Sequence, residues 1–224
     1  MPPAAGSLFW LGCASGITVM AGTAYRHISP AWLKWLLAAT ALVLLARYAA
    51  LACLSLTSVP EHVGVLRPLW LAAPISLLLP SAAAADLLIR HPAMTPQKLM
   101  RLLSPALIGY GLIIVCAPAR LVPTLAAGWL VRLTGLWQAL FLALQLSVSL
   151  GFVGVCVLLI RKIPLRPIQH GLALLALSQL LQGVDAIRVA VHVGSSALSI
   201  QTEIASLLAI WFACETGARL QQTG

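Results

Sequence analysis

Seven long apolar segments follow one another along this chain, and short polar gaps separate them. A helix needs about 20 apolar residues to cross the hydrocarbon core of a bilayer, and most of the segments reach roughly that length. They occupy residues 7–25, 33–58, 66–89, 102–118, 133–160, 168–192 and 197–214. The pattern predicts an all-α fold, in which residues 1–224 form one polytopic integral membrane domain with seven transmembrane helices.

Basic residues are distributed unevenly between the gaps, because gaps with many Lys and Arg alternate with gaps that have few. Nine of the fourteen Lys and Arg residues lie at every second gap or in the C-terminal tail, and three lie at the other gaps. The nine are Arg26, Lys34, Arg90, Lys98, Arg101, Arg161, Lys162, Arg166 and Arg219, and the three are Arg67, Arg120 and Arg132. Short loops rich in Lys and Arg stay in the cytoplasm. We therefore expect a multi-pass protein of the plasma membrane with its N-terminus outside and its C-terminus inside.

The composition agrees with a membrane protein and excludes two other classes. The chain is 61% hydrophobic and 8% charged, whereas a soluble domain carries roughly 25% charged residues. A chain this apolar needs the lipid bilayer around it. The net charge of +9 raises the question of nucleic-acid binding. Because the basic residues flank the apolar segments and form no patch interleaved with aromatic residues, we expect no nucleic-acid partner.

Enzymatic and metal-binding functions find little support in the sequence. The five cysteines lie in five different apolar segments, without the CxxC or Cys/His spacing of a metal site. No two histidines have the i, i+4 spacing of a helical metal site. A complete catalytic or nucleotide-binding motif is also absent from the sequence. We therefore expect no enzymatic activity, no catalytic residue, no metal and no cofactor.

Polar side chains inside the apolar segments are few, and many of them lie in the sixth segment. An ionisable residue within a membrane span costs roughly 2.5–3.5 kcal/mol by insertion scales, so each one is a candidate functional residue. At 100° per residue, five polar residues of this segment fall within about 120° of one helix face. They are Ser178, Gln182, Asp185, Arg188 and His192. We expect this stripe to face the interior of the bundle or a wet cavity.

The predicted orientation brings other polar residues to the outer half of the bundle. Gln201 and Glu203 lie in the first turns of the seventh helix, Arg132 lies at the outer start of the fifth, and Arg47 lies near mid-depth on the second. A buried arginine needs a counter-ion, and Asp185 and Glu203 are the candidates. Our hypothesis is a ligand-binding cavity open to the outside. It would be lined by Arg47, Arg132, Gln182, Asp185, Arg188, Gln201 and Glu203.

A purely structural interpretation of the same residues stays open. Asp185 and Arg188 have i, i+3 spacing and can neutralise each other along one helix. Gln and Ser side chains can link neighbouring helices through hydrogen bonds of about 1 kcal/mol each. Glu215 and Arg219 have i, i+4 spacing, with the acid first, and predict a further ion pair in the tail.

The layout of the segments also resembles a known family. The resemblance rests on the Arg67-Pro68-Leu69-Trp70 entry to the third segment, the internal prolines Pro74 and Pro80, and the basic gap that follows. It also rests on the long fifth segment that ends in Arg161-Lys162-Ile163-Pro164. This layout is similar to the seven-helix membrane input region of some bacterial histidine kinases. The resemblance implies a sensor, and because no kinase domain follows in this sequence, we expect a separate cytoplasmic or membrane partner to receive the signal.

Three functions therefore stay open. The first is a sensor or receptor-like module with an outward-facing polar cavity and a signalling partner. The second is a small-solute or ion transporter or channel that acts as a homo-oligomer. The inner halves of the segments are nearly devoid of the polar side chains that transport would need there. The third is a structural subunit of a membrane complex, in which the polar stripe faces a helix of another protein.

Overall fold

The computed structural model describes residues 3–25, 28, 31–57, 68–69, 71–89, 95–124, 128–191 and 196–223. Over these residues the chain forms seven helices of 17 residues or more and one two-stranded hairpin. The helices are α1 (Pro3–Ala24), α2 (Ala31–Thr57), α3 (Ala73–Ile89), α4 (Pro96–Cys116), α5 (Leu136–Lys162), α6 (Arg166–Ala190) and α7 (Ser196–Thr223). The strands β1 (Ala119–Thr124) and β2 (Gly128–Leu133) lie between α4 and α5.

Helices α6 and α7 run antiparallel to each other, as two hydrogen bonds between them demonstrate. The Ser199 hydroxyl donates to Asp185, and the Ser206 hydroxyl, seven residues later on α7, donates to the carbonyl of Ser178, seven residues earlier on α6. The hairpin joins the end of α4 to the start of α5. We name this end of the bundle, which also holds the end of α6 and the start of α7, the hairpin end. The opposite end, where residues 161–166 connect α5 to α6, is the basic-turn end.

Helix α3 lies at the centre of the bundle and packs against α2, α6 and α7. Ten of its seventeen residues are buried, including Ser76, Ser81 and the run Ala82–Ala84. Small side chains let helix backbones approach closely, which is how helices pack where lipid supplies no hydrophobic force between them. The central position of α3 therefore follows from its content of Ala and Ser.

Two glycines bring α6 and α7 into close contact with α3 near the basic-turn end. A Cβ atom on Gly171 of α6 would lie 2.7 Å from Leu88 Cδ1, and one on Gly217 of α7 would lie 2.9 Å from Leu87 Cγ. Leucines and isoleucines with no exposed surface surround these contacts, among them Leu172, Leu175 and Ile210. We name these two contacts the leucine–glycine seal, because they leave no space for a methyl group.

The surface of the bundle is apolar, above all on α4 and α5. Only 17% of the most apolar window of each of these helices is buried. Their exposed residues include Leu102, Ile108, Leu112, Val115, Leu140, Leu150, Val155 and Leu158. Soluble proteins rarely expose continuous apolar surfaces of this kind. Among the described residues, five helices are long and apolar enough to cross a membrane, namely α2, α4, α5, α6 and α7. The chain is therefore a multi-pass membrane protein.

The prediction of a helical membrane domain is confirmed, with changes at several helix ends. The apolar stretches within the first and third helices, Leu8–Thr23 and Ala73–Ile89, are shorter than those of the five others. Helix α3 is described from Ala73, and residues 68, 69 and 71 before it are also helical; the predicted start at residue 66 lies outside the described part of the chain, as do residues 58–67 and 70. Helix α7 continues beyond residue 214 to Thr223. Its last turns carry the predicted Glu215–Arg219 ion pair, at 2.6 Å, which supports a helix that is no longer apolar.

A β-hairpin occupies the segment between α4 and α5, where the sequence predicts only a loop. The strands are antiparallel, and Arg120 pairs with Arg132 in the backbone register. Gly135 has a φ of +53°, a value that a helix does not contain, and α5 begins directly after it at Leu136. The fifth helix, predicted from residue 133, therefore begins at Leu136; Arg132, which we expected directly at its outer start, belongs to strand β2, and the positive φ of Gly135 separates strand from helix.

Candidate polar site between helices α2, α6 and α7

Arg47 of α2 and Glu203 of α7 form an ion pair inside the bundle. Arg47 Nη1 donates to Glu203 Oε2 over 2.7 Å, and the two residues are only 5% and 6% exposed. At a rise of about 1.5 Å per residue, Glu203 lies roughly 10 Å from the start of α7 and Arg47 roughly 15 Å from the end of α2. Of the two counter-ions predicted for Arg47, the structure therefore selects Glu203.

A second ion pair lies closer to the hairpin end and includes a serine hydroxyl. Arg188 donates to Asp185 Oδ1 through Nη2 at 2.6 Å and through Nε at 2.9 Å. The Ser199 hydroxyl of α7 accepts from Arg188 Nη2 and donates to Asp185 Oδ1 at 3.1 Å. The i, i+3 pairing predicted along the sixth helix is thus confirmed, and Ser199 extends it to α7. The Ser199 hydroxyl therefore bridges both charged side chains and is already engaged in two hydrogen bonds.

The two ion pairs are neighbours and form one charge-neutral group. The Asp185 carboxylate is close enough to Glu203 to repel its negative charge, and each carboxylate has its own arginine. The side chains of the Arg47–Glu203 pair are 7% and 8% exposed, and those of the Arg188–Asp185 pair are 17% and 19% exposed. The exposed fraction of the charged side chains therefore increases toward the hairpin end. We name Arg47, Asp185, Arg188, Ser199 and Glu203 the polar site.

Tyr48 of α2 and Thr18 of α1 lie next to the Arg47–Glu203 pair. The Tyr48 ring lies 5.9 Å from the Arg47 guanidinium carbon, a distance suited to a cation–π contact. Its hydroxyl faces the Glu203 carboxylate and Thr18 without a hydrogen bond of good geometry. Thr18 itself donates to the Ala14 carbonyl of its own helix at 2.8 Å. Helix α1 thus closes the polar site on the side of α2.

Gln182 and Gln201 lie at the depth of the polar site, but Gln201 is two residues from both Ser199 and Glu203 and therefore points to another side of α7. The contacts between α6 and α7 set Gln182 at the depth of Thr202 and Glu203. Gln182 is buried, and its Nε2 has no hydrogen-bond partner in the described part of the chain. Gln201 is partly buried on α7. The backbone of Arg132 lies in strand β2, and its side chain lies outside the described part of the structure. The predicted His192 lies outside the described residues.

A second polar layer lies deeper along α6 and was not predicted as part of the site. Gln179 Nε2 donates to the Ser81 hydroxyl of α3 at 3.0 Å, and Ser206 of α7 donates to the Ser178 carbonyl at 3.3 Å. The sequence does show Gln179 beside the polar stripe, but its contact with α3 depends on helix packing. Beyond this layer the buried residues of α6 are Ile168, Gly171, Leu172, Leu175 and Ala176, which are all apolar.

A third hydrogen-bonded group holds α4 to α5. The Tyr110 hydroxyl donates to Gln145 Oε1 at 2.6 Å, and Gln145 Nε2 donates to the Ser149 hydroxyl at 3.3 Å. All three residues are buried. The i, i+4 spacing of Gln145 and Ser149 within an otherwise apolar segment is a signal that would have identified them as inward-facing. Within the described residues, no group of three or more His, Cys, Asp or Glu side chains is arranged to hold a metal ion.

Two comparisons with known proteins found no match to this chain. No protein-family model matches the chain, and no curated protein matches it. Function must therefore be inferred from the polar site and from the helices that surround it.

Proposed function

We propose that this protein is a sensor or receptor-like module of the plasma membrane that signals through a separate partner. The proposal includes seven spans, with the N-terminus outside and the C-terminus inside, as the distribution of Lys and Arg favours. In this orientation the hairpin end faces the exterior and the basic-turn end faces the cytoplasm. The ligand site is then the polar site with Gln182 and Gln201 beside it, and it is reached from outside past Asp185 and Arg188.

The observation that carries this proposal is the buried Arg47–Glu203 ion pair beside the more exposed Asp185–Arg188–Ser199 cluster. A buried ion pair adds little net stability, but it is costly to leave either partner alone. A ligand that competes for Asp185 or Arg188 changes the charge next to Glu203, and thereby changes the contact between α2 and α7. Helix α7 continues to Thr223, so its displacement would reach the cytoplasmic end of the bundle. Such a two-state contact is what a receptor needs.

Transport is less well supported by the same structure. A transporter needs polar or wet surface on both sides of its binding site, reached in turn. Here the leucine–glycine seal and the apolar residues of α6 fill the half of the bundle near the basic-turn end. A structural subunit is the second candidate, because each charge of the polar site is already paired within the chain and the Arg47–Glu203 pair is nearly inaccessible.

Cysteine accessibility tests the proposal. The five native cysteines are first replaced, and single cysteines are then placed at Gln182, Asp185, Arg188 and Gln201 for labelling of intact cells with a membrane-impermeant thiol reagent. The variants at Gln182 and Gln201 matter most, because they leave both ion pairs intact. We expect labelling at all four positions. No labelling of well-expressed protein would reject an open polar site and favour a structural subunit.

Three further positions serve as controls and test the orientation at the same time. Val191 at the end of α6 is 60% exposed and should be labelled from outside, whereas exposed Arg161 at the basic-turn end should be labelled only after permeabilisation. Leu175 has no exposed surface and should stay unlabelled. Labelling of Arg161 but not Val191 in intact cells would reverse the orientation. Labelling of the polar site from both sides would favour a transporter.

A further inference from the structure

Helix α4 carries an open depression on its lipid-facing surface, away from the polar site. The depression has a volume of about 440 Å³. Six residues at three- and four-residue spacing line it, so they form one stripe along the helix. They are Gln97, Met100, Arg101, Ser104, Leu107 and Ile108.

The stripe changes from polar to apolar along the helix. Its first part holds the polar residues Gln97, Arg101 and Ser104 together with Met100, and Leu107 and Ile108 lie beyond them. From Arg101 to Ile108 the helix rises roughly 10 Å, at about 1.5 Å per residue. Ile108 is 62% exposed, so the apolar part of the stripe is open to the surroundings. A ligand that fills this depression therefore needs a polar end and an apolar end.

The charge of α4 indicates which polar end fits. The helix contains Lys98 and Arg101 and no acidic residue. Arg101 is exposed and takes part in none of the described ion pairs. A guanidinium on a lipid-facing surface is unfavourable unless it reaches the interface and meets an anion. The anion that a bilayer offers at that position is a lipid phosphate.

We infer that this stripe binds one anionic phospholipid of the leaflet at the basic-turn end. Arg101 and Gln97 hold the phosphate, and an acyl chain lies along Leu107 and Ile108. A free phosphate ion would leave the apolar half of the depression uncovered, and for this reason we assign the site to a lipid. The inference does not depend on the proposed sensor function.

Native mass spectrometry of the purified protein tests this site. The protein is titrated with phosphatidylglycerol and with phosphatidylcholine of identical acyl chains, as the wild type and as Arg101→Gln. We expect the wild type to prefer phosphatidylglycerol. Arg101→Gln should weaken the binding of phosphatidylglycerol by about fivefold, which corresponds to ~1 kcal/mol for one basic residue near an anionic surface. Binding of phosphatidylcholine should change little.

Arg161→Gln is the matched control, because Arg161 is also exposed and lies at the same end of the bundle but outside the stripe. It should bind phosphatidylglycerol as the wild type does. An equal loss of binding in both variants would mean that general charge attraction, and not this site, holds the lipid. Unchanged binding in Arg101→Gln would mean that Arg101 does not contact the phosphate. Competition by millimolar inorganic phosphate would overturn the assignment to a lipid.

Discussion

Removing one partner of the Arg47–Glu203 pair should destabilise the bundle far more than removing both. In Glu203→Met, the Arg47 guanidinium stays in a position that is 5% exposed but loses its partner at 2.7 Å. Breaking a buried pair in this way costs about 3–5 kcal/mol, because the remaining buried charge has lost its counter-ion. Arg47→Met should have an effect of the same size, since Glu203 would then keep its burial and the repulsion of Asp185.

The double variant Arg47→Met/Glu203→Met removes both charges and fills the space with apolar atoms. Replacing a buried ion pair by apolar residues of similar volume is often neutral or stabilising. On the same reasoning, we expect the free energy of unfolding of the double variant to lie within about 2 kcal/mol of that of the wild type. The summed losses of the two single variants would then exceed the loss of the double variant by more than about 3 kcal/mol, as expected for residues in direct contact.

Reversible unfolding in mixed micelles, followed by tryptophan fluorescence, measures these free energies, since the chain contains seven tryptophans. The exposed Arg219–Glu215 pair is the matched control, because it has a similar distance of 2.6 Å but side chains that are 76% and 38% exposed. Its cycle of Gln variants should give a coupling of about 0.3–0.5 kcal/mol. A coupling equally small for Arg47 and Glu203, or a double variant as unstable as the single ones, would refute the reasoning.

Two further predictions concern packing and hydrogen bonding. Gly171→Ala should destabilise by about 1–3 kcal/mol, because its Cβ would lie 2.7 Å from Leu88 Cδ1. At Gly151 an added Cβ atom would meet no other atom within 4 Å, so Gly151→Ala should be neutral or slightly stabilising. Similar unfolding free energies for the two variants would contradict the close contact at Gly171. Tyr110→Phe should cost about 1–2 kcal/mol, since it leaves Gln145 Oε1 without its donor. A second substitution, Gln145→Leu, should recover most of that loss in the same unfolding measurement, and no recovery would argue against this hydrogen bond.

The parts of this structure that the sequence predicts are those set within one helix. Segment length and hydropathy were enough for the helices, because a bilayer demands a minimum apolar length. The pairing of Asp185 with Arg188 followed from their spacing along one turn. For Arg47 the sequence offered two counter-ions, since the choice of Glu203 depends on which faces of α2 and α7 meet.

The parts that escaped prediction depend on contacts between elements or on backbone conformation. The β-hairpin lies in the gap between two predicted helices, and hydropathy does not show that the two halves of a gap pair as strands. Gly135, with its positive φ, then places the start of α5 at Leu136 and not at the predicted residue 133. Ser199 was missed because a serine near a helix start is unremarkable until α6 places Asp185 beside it.

The position of the Arg47–Glu203 pair bears on why a membrane bundle contains it at all. If stability were its role, apolar residues of similar size would serve as well, because desolvation offsets most of the attraction between the charges. What apolar residues do not provide is a defined depth at which α2 meets α7, or a contact that responds to a neighbouring charge. A stable double variant with no labelling at Gln182 or Gln201 would favour the fixed depth. A stable double variant together with labelling at both positions would favour the responsive contact, since the neighbouring Asp185 and Arg188 would then be open to a ligand.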